Sequence, residues 1–152
     1  GPDARVLLVR QYRHPVTTDL WELPAGLLDV ADEPPLRTAA RELAEEADLR
    51  AGRWHVLVDL LTTPGCSNEA IRLYLARDLS RVAPDERHVR TQEEADMTTA
   101  WFDLDQAVEM ALGGEIQNAA CVAGVLAAAH ARAGDWSSLR PADAPWPARP
   151  GR

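Results

Sequence analysis

Residues 24–49 read PAGLLDVADEPPLRTAARELAEEADL, and the second half of this stretch has the pattern of an amphipathic helix. Two prolines, at positions 34 and 35, suit the first turn of a helix, where a missing backbone N–H costs nothing. We therefore expect the helix to begin near Leu36. At about 100° per residue the apolar side chains recur on one face, which we expect to be buried. They are Leu36, Ala40, Leu43 and Ala47.

Two glutamates of this helix, Glu42 and Glu46, lie four residues apart and are therefore stacked on one side of it. Stacked carboxylates repel each other, and the repulsion grows beside a buried face, where the dielectric constant is low. A hard divalent cation such as Mg²⁺ removes this conflict because it prefers carboxylate oxygens. The alternative is an acidic helix surface exposed to solvent.

The order of the residues favours the metal site. Gly26, Glu33 and the run RELAEE at 41–46 resemble the signature of the Nudix hydrolases: Gly, five residues, Glu, seven residues, Arg-Glu-aliphatic-any-Glu-Glu-any-Gly-aliphatic. The chain departs from that pattern twice. Six residues separate Gly26 from Glu33, unless Asp32 takes the acidic role, and Asp48 stands in the place of the second Gly. A loop absorbs an extra residue easily, and Asp tolerates a left-handed helix cap.

Length, charge and cysteine content limit the class of protein. At 152 residues the chain suits one domain with a single core. A net charge of −8 argues against nucleic acid or an anionic membrane as a partner, and an acidic protein needs cations to bind an anionic phosphate substrate. Two cysteines are too few for a disulfide framework. Since neither a membrane-spanning run nor a secretory signal is present, we expect a cytoplasmic protein.

Apolar runs between turn-forming residues predict strands at 5–13, 20–23, 54–61, 69–76 and 99–102. Further helices are expected at 104–112 and 118–133, the second of them Ala-rich and largely buried, and residues 80–96 are expected to form a long loop. This order indicates an α+β fold. The resemblance implies a Nudix-type α/β/α sandwich around a mixed β-sheet over residues 1–133, and a Pro-rich tail follows at 134–152.

Four other stretches resemble the ADP-ribose pyrophosphatase branch of the Nudix family, especially its actinobacterial type. They are VRQYRHP at 9–15, LWELPAG at 20–26, TTPGCSNE at 62–69 and QEEADM at 92–97. Pro64 lies fifteen residues beyond Leu49, where that branch keeps a proline. The resemblance covers residues 5–133 and implies a homodimer. The family's N-terminal strands, which exchange between subunits and help to bind the adenine, have no counterpart in these 152 residues.

The resemblance also assigns metal ligands. Glu42 and Glu46 are the principal ligands of Mg²⁺ or Mn²⁺, and the carbonyl of Ala25 is the third. The residue types support this assignment. A Pro-Ala-Gly turn leaves a carbonyl that no helix or sheet hydrogen bond uses, and hard cations bind backbone oxygens. Glu45 lies about 60–100° around the helix from these glutamates, so we expect it to support catalysis. Glu33 is a weaker ligand candidate.

The remaining site residues are expected to act on water and substrate. We expect Arg41 to lie on the far side of the helix from Glu42 and to pin the loop by pairing with an acidic residue such as Glu33. By resemblance Glu94 is the general base, with Glu93 as its rival. Arg13 is expected to meet a phosphate, Glu22 to accept a hydrogen bond from an adenine amino group, and Glu69 to contact the terminal ribose. Arg72 is expected to be a surface strand residue.

The function that follows is Mg²⁺-dependent hydrolysis of ADP-ribose to AMP and ribose 5-phosphate, with a small-molecule nucleoside diphosphate compound as the substrate. One alternative is a Nudix hydrolase that acts on another nucleoside diphosphate sugar or a dinucleotide. A different class is a module that binds ADP-ribose without cleaving it. Such modules lose signature carboxylates, whereas Glu42, Glu45 and Glu46 are all present here.

Overall fold

A computed structural model describes residues 3–91 and 96–149 of the chain. The strands are β1 (Arg5–Arg13), β2 (Thr18–Glu22), β3 (Leu49–Leu61), β4 (Ala70–Arg81), β5 (Thr98–Asp103) and β6 (Arg140–Pro141). The helices are α1 (Pro35–Ala47), α2 (Leu104–Leu112) and α3 (Ala119–Ala133). This combination confirms the predicted α+β class. In the described part of the chain, no helix is both long enough and apolar enough to span a membrane.

The described strands form two three-stranded sheets, in the orders β2-β1-β5 and β4-β3-β6. Every pairing between them is antiparallel, whereas we expected a mixed sheet. For two of the four pairings, β1 with β2 and β3 with β4, the reason lies in the connections. Residues 14–17 join β1 to β2, and residues 62–69 join β3 to β4. Connections this short can reverse the chain, but a parallel pair needs a crossover of about a dozen residues or more.

Strands β3 and β4 are longer than their apolar runs indicate. Their pairing starts with Leu49 opposite Arg81, so β3 begins directly after α1 and β4 continues into the predicted loop. Residues 50–53 and 77–81 are mostly polar, and they carry no alternation that would mark a strand. Pairing with the neighbouring strand decides their conformation, because each segment satisfies the other's backbone hydrogen bonds.

The main core lies between the first sheet and the two C-terminal helices. Its fully buried members include Leu8, Ala107, Cys121 and Val125. Helix α3 also reaches the second sheet, because a Cβ on Gly124 would lie 2.7 Å from Leu23 Cδ1 and 3.3 Å from Leu73 Cδ1. Only one face of α3 is buried, so it is less enclosed than its composition predicts.

The C-terminal tail packs on the second sheet. Strand β6 pairs with β3, and Trp146 is buried. Arg72 lies beneath this segment with only 4% of its side chain exposed, so the prediction of a surface residue was wrong. Its guanidinium donates to both oxygens of Asp59, at 2.7 and 3.0 Å, and to the carbonyls of Ala144 and Pro145, at 2.6 and 2.9 Å. These contacts fix the position of the tail, which its own sequence does not predict.

Candidate active site

Helix α1 begins and ends close to the predicted positions. It begins at Pro35, one residue before the predicted start, and Pro34 is the extended N-cap residue. It ends at Asp48, which has a left-handed conformation with φ 54° and ψ 36°. The backbone N–H of Asp48 donates to the carbonyls of Ala44 and Leu43. Asp therefore makes the turn for which the signature uses Gly.

The buried face of α1 is rotated from the one we predicted. Leu43 is buried, but Leu36, Ala40 and Ala47 are only partly so. Thr38 and Glu46 are buried instead, with 3% and 7% exposed. The periodicity of the apolar residues missed this because polar groups with hydrogen-bond partners can be buried at little cost.

The turn before α1 is bound to both stacked glutamates. The backbone N–H of Ala25 donates to Glu46 Oε2 at 2.9 Å. The carboxylate of Glu42 packs on Gly26 so closely that a Cβ there would lie within 3.0 Å of its Oε1. The structure thus brings together the three residues predicted to hold a metal: Ala25, Glu42 and Glu46.

Arg41 contacts three carboxylates around this turn. Its guanidinium lies 2.8 Å from Glu42 Oε1, 3.2 Å from Glu45 Oε2 and 3.2 Å from Glu33 Oε1. The predicted pairing with Glu33 is present, but the expectation that Arg41 lies away from Glu42 was wrong. The expectation considered only the direction of the Cα–Cβ bond, whereas the long arginine side chain extends back around the helix to Glu42.

Glu33 is held in its charged form by its neighbours. Thr38 Oγ1 donates to Glu33 Oε1 at 2.7 Å. This hydrogen bond, followed by the one from Arg41, lowers the pKa of Glu33. The same contact with Glu33 raises the pKa of Arg41, so the guanidinium stays charged. The ion pair between Glu33 and Arg41 therefore attaches the loop at 27–34 to α1.

Arg13 and Glu22, to which we assigned separate substrate contacts, are paired with each other. Arg13 Nε and Nη2 donate to the two oxygens of Glu22 at 2.8 and 2.6 Å. Glu22 is 4% exposed, whereas the Arg13 side chain is 43% exposed. The β1–β2 hairpin brings both side chains to one face of the first sheet, since Val9 pairs with Glu22 and Arg13 with Thr18. The pairing of Arg13 with Glu22 was not predicted because the sequence alone does not give the register of the two strands.

Three other predicted residues either have no hydrogen bond to this cluster or lie outside the described residues. Glu69 is exposed at the end of the 62–69 loop, where Ser67 Oγ accepts a hydrogen bond from its backbone N–H. In the described residues, no hydrogen bond joins Glu69 to α1. Glu94 and Glu93, the candidates for the base, fall within 92–95 and so lie outside the described residues.

Comparison with known proteins identifies the family. Residues 1–123 match the model of the NUDIX domain. This chain belongs to the Nudix family. It is 51% identical over 148 residues to the ADP-ribose pyrophosphatase of Mycobacterium tuberculosis (strain ATCC 25618 / H37Rv), a match that covers 97% of this chain and 70% of that protein.

More distant relatives agree with this assignment. The ADP-ribose pyrophosphatase of Bacillus subtilis (strain 168) is 29% identical over 117 residues, which covers 77% of this Nudix chain and 61% of that protein. A crystal structure described as an ADP compounds hydrolase superposes with a TM-score of 0.75 at 20% identity, and it covers 88% of this chain and 69% of that one. The second likeness shows the fold alone.

The residues around the Nudix turn suit a hard divalent ion. Glu42 and Glu46 offer carboxylate oxygens beside the backbone of Ala25, and Gly26 leaves room for one carboxylate to touch the turn. Two carboxylates and a carbonyl leave coordination positions for water and phosphate, as Mg²⁺ prefers. Within the described ranges, no group of three or more His, Cys, Asp or Glu side chains is arranged as a metal site.

Replacing Gly26 with Ala tests the packing of Glu42 on the turn. Because Gly26 lacks a left-handed φ, its backbone accepts Ala, but the new methyl group would displace the Glu42 carboxylate. We expect the turnover number to fall between about ten- and a hundred-fold, since small displacements in an active site are costly. The melting temperature should fall as well, because the methyl group would also lie within 3.0 Å of Glu42 Cγ, so more than the end of that side chain has to move.

Gly134→Ala is the matched control, because the nearest atom to a Cβ there is 3.7 Å away, an ordinary contact. Steady-state kinetics and thermal unfolding of both variants would decide. Unchanged turnover in Gly26→Ala would show that the position of Glu42 is unimportant.

An arginine outside the Nudix signature holds the end of α1. Arg90 Nη2 donates to Asp48 Oδ2 at 2.9 Å, and its Nε donates to the carbonyl of Glu45 at 3.1 Å. The position where the signature has Gly thus gains an ion pair in this chain. The basic side chain also meets the helix carbonyls, where positive charge is favourable.

We expect Arg90→Gln to lower the free energy of unfolding by about 1 kcal/mol, because the pair is partly exposed and screened by water. In an Asp48→Gly background the same change should cost less, since the carboxylate partner is gone. Asp48→Gly alone should be close to neutral, because it relieves a left-handed Asp as it loses the pair. Urea denaturation of the parent, the two single variants and the double variant measures this double-mutant cycle. Equal costs of Arg90→Gln in both backgrounds would contradict the coupling between Arg90 and Asp48.

Proposed function

We propose that this Nudix protein hydrolyses ADP-ribose to AMP and ribose 5-phosphate, with Mg²⁺ or Mn²⁺ as its cofactor. The observation that carries the proposal is the convergence of Glu42 and Glu46 on the turn at Ala25 and Gly26. The choice of substrate is supported by the two relatives described as ADP-ribose pyrophosphatases. The chain spans 70% of the length of the mycobacterial relative and 61% of the length of the Bacillus subtilis one.

Glu42, Glu46 and the carbonyl of Ala25 would hold the metal, which when bound neutralises phosphate charge and activates water. Arg41 orients the surrounding carboxylates, because it contacts Glu42, Glu45 and Glu33 at once. Glu45, which precedes Glu46 on α1, supports this arrangement through its contact with Arg41. For the general base we retain Glu94, with Glu93 as its rival.

The hairpin residues would serve the substrate as a pair. Glu22 is buried and accepts two hydrogen bonds from Arg13, so it orients the guanidinium instead of meeting the adenine. The Arg13 side chain remains partly exposed and suits a phosphate oxygen, which guanidinium groups bind well. Glu69, on the exposed end of its loop, remains the candidate for the terminal ribose. The homodimer and the cytoplasmic location stay predictions.

A second substrate class has one observation in its favour. A relative from Streptomyces rubellomurinus (strain ATCC 31215), described as a CMP-5'-(N-acetyl-N-hydroxy-3-aminopropyl)phosphonate hydrolase, is 32% identical over 127 residues. That match covers 82% of this chain and 59% of that protein. A similar scaffold therefore accepts a nucleotide joined to a group other than ribose. Our alternative function is hydrolysis of another nucleoside diphosphate sugar or a dinucleotide. The third candidate is a module that binds ADP-ribose without cleaving it.

The test is incubation with ADP-ribose and Mg²⁺, followed by chromatography for AMP and ribose 5-phosphate. A parallel panel of nucleoside diphosphate sugars and dinucleotides, each at several concentrations, ranks the substrates by kcat/KM. We expect ADP-ribose to rank first and EDTA to stop the reaction. Cleavage of another member with a higher kcat/KM would select the alternative, whereas binding of ADP-ribose without products would select the third.

A further inference from the structure

A cavity of about 480 Å³ lies between the two sheets at the C-terminal end of α1. Its walls come from β1 and β5 of the first sheet, from the start of β3 and the end of β4 in the second, and from Arg87. It has a volume typical of a small-molecule site. None of the described residues that line it belongs to the cluster around Glu42 and Glu46, so the cavity is separate from the proposed active site.

The cavity is positively charged although the chain as a whole is acidic. Arg5, Arg81 and Arg87 line it. In the described parts of the chain, none of these three arginines lies within ion-pair distance of a carboxylate, whereas Arg13, Arg41 and Arg72 are all paired. The one acidic residue among the described residues that line the cavity, Asp48, is paired with Arg90.

Three neighbouring guanidinium groups repel each other, and a concave site of one sign concentrates ions of opposite charge. Arginine binds phosphate oxygens through two parallel hydrogen bonds, which makes a phosphate group the fitting counter-ion. The cavity should therefore attract a phosphorylated compound rather than a cation or an apolar molecule.

An aromatic ring extends this preference beyond the phosphate. Trp101 lines the same cavity and is 42% exposed. The guanidinium of Arg5 lies 5.6 Å from its ring centroid. A half-exposed indole beside arginines offers a planar apolar surface, on which nucleobases stack favourably. Phosphate-binding and base-binding groups thus line one space.

We propose that this cavity binds a nucleoside monophosphate, with the phosphate held by Arg81 and Arg87 and the base against Trp101 and Arg5. The site does not depend on the proposed hydrolytic function. Binding here can occur without a metal, because the arginines themselves neutralise the phosphate.

The experiment is a titration of the metal-free protein, in EDTA, with AMP. Tryptophan indole signals are followed by ¹H–¹⁵N NMR, and the Trp101 signal is assigned with a Trp101→Phe variant. We expect the Trp101 signal to shift in a saturable manner. Arg81→Gln combined with Arg87→Gln should weaken the affinity by about ten-fold or more, because the charge-assisted hydrogen bonds are lost. Single variants give the same comparison if the double variant unfolds.

Two ligands and one variant complete the design. Adenosine, which lacks phosphate, should bind much more weakly, and ribose 5-phosphate, which lacks a base, should leave the Trp101 signal nearly unmoved. Arg53→Gln, an arginine outside the cavity, should bind AMP as the parent does. The proposal is overturned if AMP leaves the Trp101 signal in place, or if its affinity is unchanged in the arginine variants. A protein that binds AMP in this way yet cleaves no ADP-ribose would refute only the proposed activity.

Discussion

Glu46→Gln is expected to lower the turnover of ADP-ribose by at least about a hundred-fold, since changes merely adjacent to metal ligands already cost about 10–100-fold. Glu46 is buried, and its Oε2 accepts the backbone N–H of Ala25. Gln has the same shape, and its amide oxygen can accept this hydrogen bond, so the turn should remain attached to α1. The substitution removes the negative charge that would bind a divalent ion.

Metal binding should change in parallel with turnover. Titration with Mn²⁺, followed by electron paramagnetic resonance of the free ion, should show weaker binding to Glu46→Gln than to the parent. Glu115→Gln is the control, because Glu115 is exposed and lies away from α1 in sequence. Normal turnover together with normal Mn²⁺ binding in Glu46→Gln would remove this residue from the metal site. A large fall in melting temperature would instead indicate a structural role.

Arg72→Ala is expected to lower the free energy of unfolding by about 2–3 kcal/mol, because hydrogen bonds to charged groups contribute about 1.5–3 kcal/mol and Asp59 keeps Arg140 as a second partner. The substitution leaves Asp59 without its bidentate partner and removes both donors to the carbonyls of Ala144 and Pro145. It also removes the cation–π contact with Trp146, whose ring centroid lies 5.0 Å from the guanidinium. Urea denaturation measures the change.

Arg53→Ala is the matched control, because Arg53 forms an exposed ion pair with Asp78 in the same sheet. Exposed pairs contribute about 0–1 kcal/mol, so this variant should stay near the parent. Equal effects of the two substitutions would contradict the role given to Arg72.

The effect of Arg72→Ala should also depend on pH. Burial raises the pKa of Asp59, but hydrogen bonds from Arg72 and Arg140 outweigh it, so the pKa lies below its usual value. A carboxyl group with a lowered pKa stabilises the fold above its unfolded pKa, about 3.9 for Asp, and loses that contribution as the pH falls through the folded value. The difference between parent and variant should therefore be full at neutral pH and shrink below about pH 4.

Local signals in the sequence predicted α1 well. Two prolines set its start to within one residue, and Asp48 was expected to take the left-handed cap that it takes. Helix α2 has the predicted bounds, and α3 begins one residue after the predicted position, with Asn118 capping it. Such signals are readable because capping and turn preferences act over a few neighbouring residues.

Contacts between distant segments were not predictable in the same way. The pairing of Arg13 with Glu22 follows from the register of the β1–β2 hairpin, and the burial of Arg72 follows from where the tail lies. The early start of β3 depends on its partner strand, since residues 50–53 have little strand character of their own. In each case a partner far along the chain outweighs the local preference.

The sequence by itself determined the Nudix signature, the helix that carries its glutamates and the α+β class, because spacing along a helix fixes which side chains share a face. Only the tertiary structure decided that Ala25 and Gly26 meet these glutamates, that Arg41 contacts three carboxylates, and that three arginines line a cavity beyond α1. Those contacts depend on how loops and long side chains pack across elements. Periodicity carries no information about that packing.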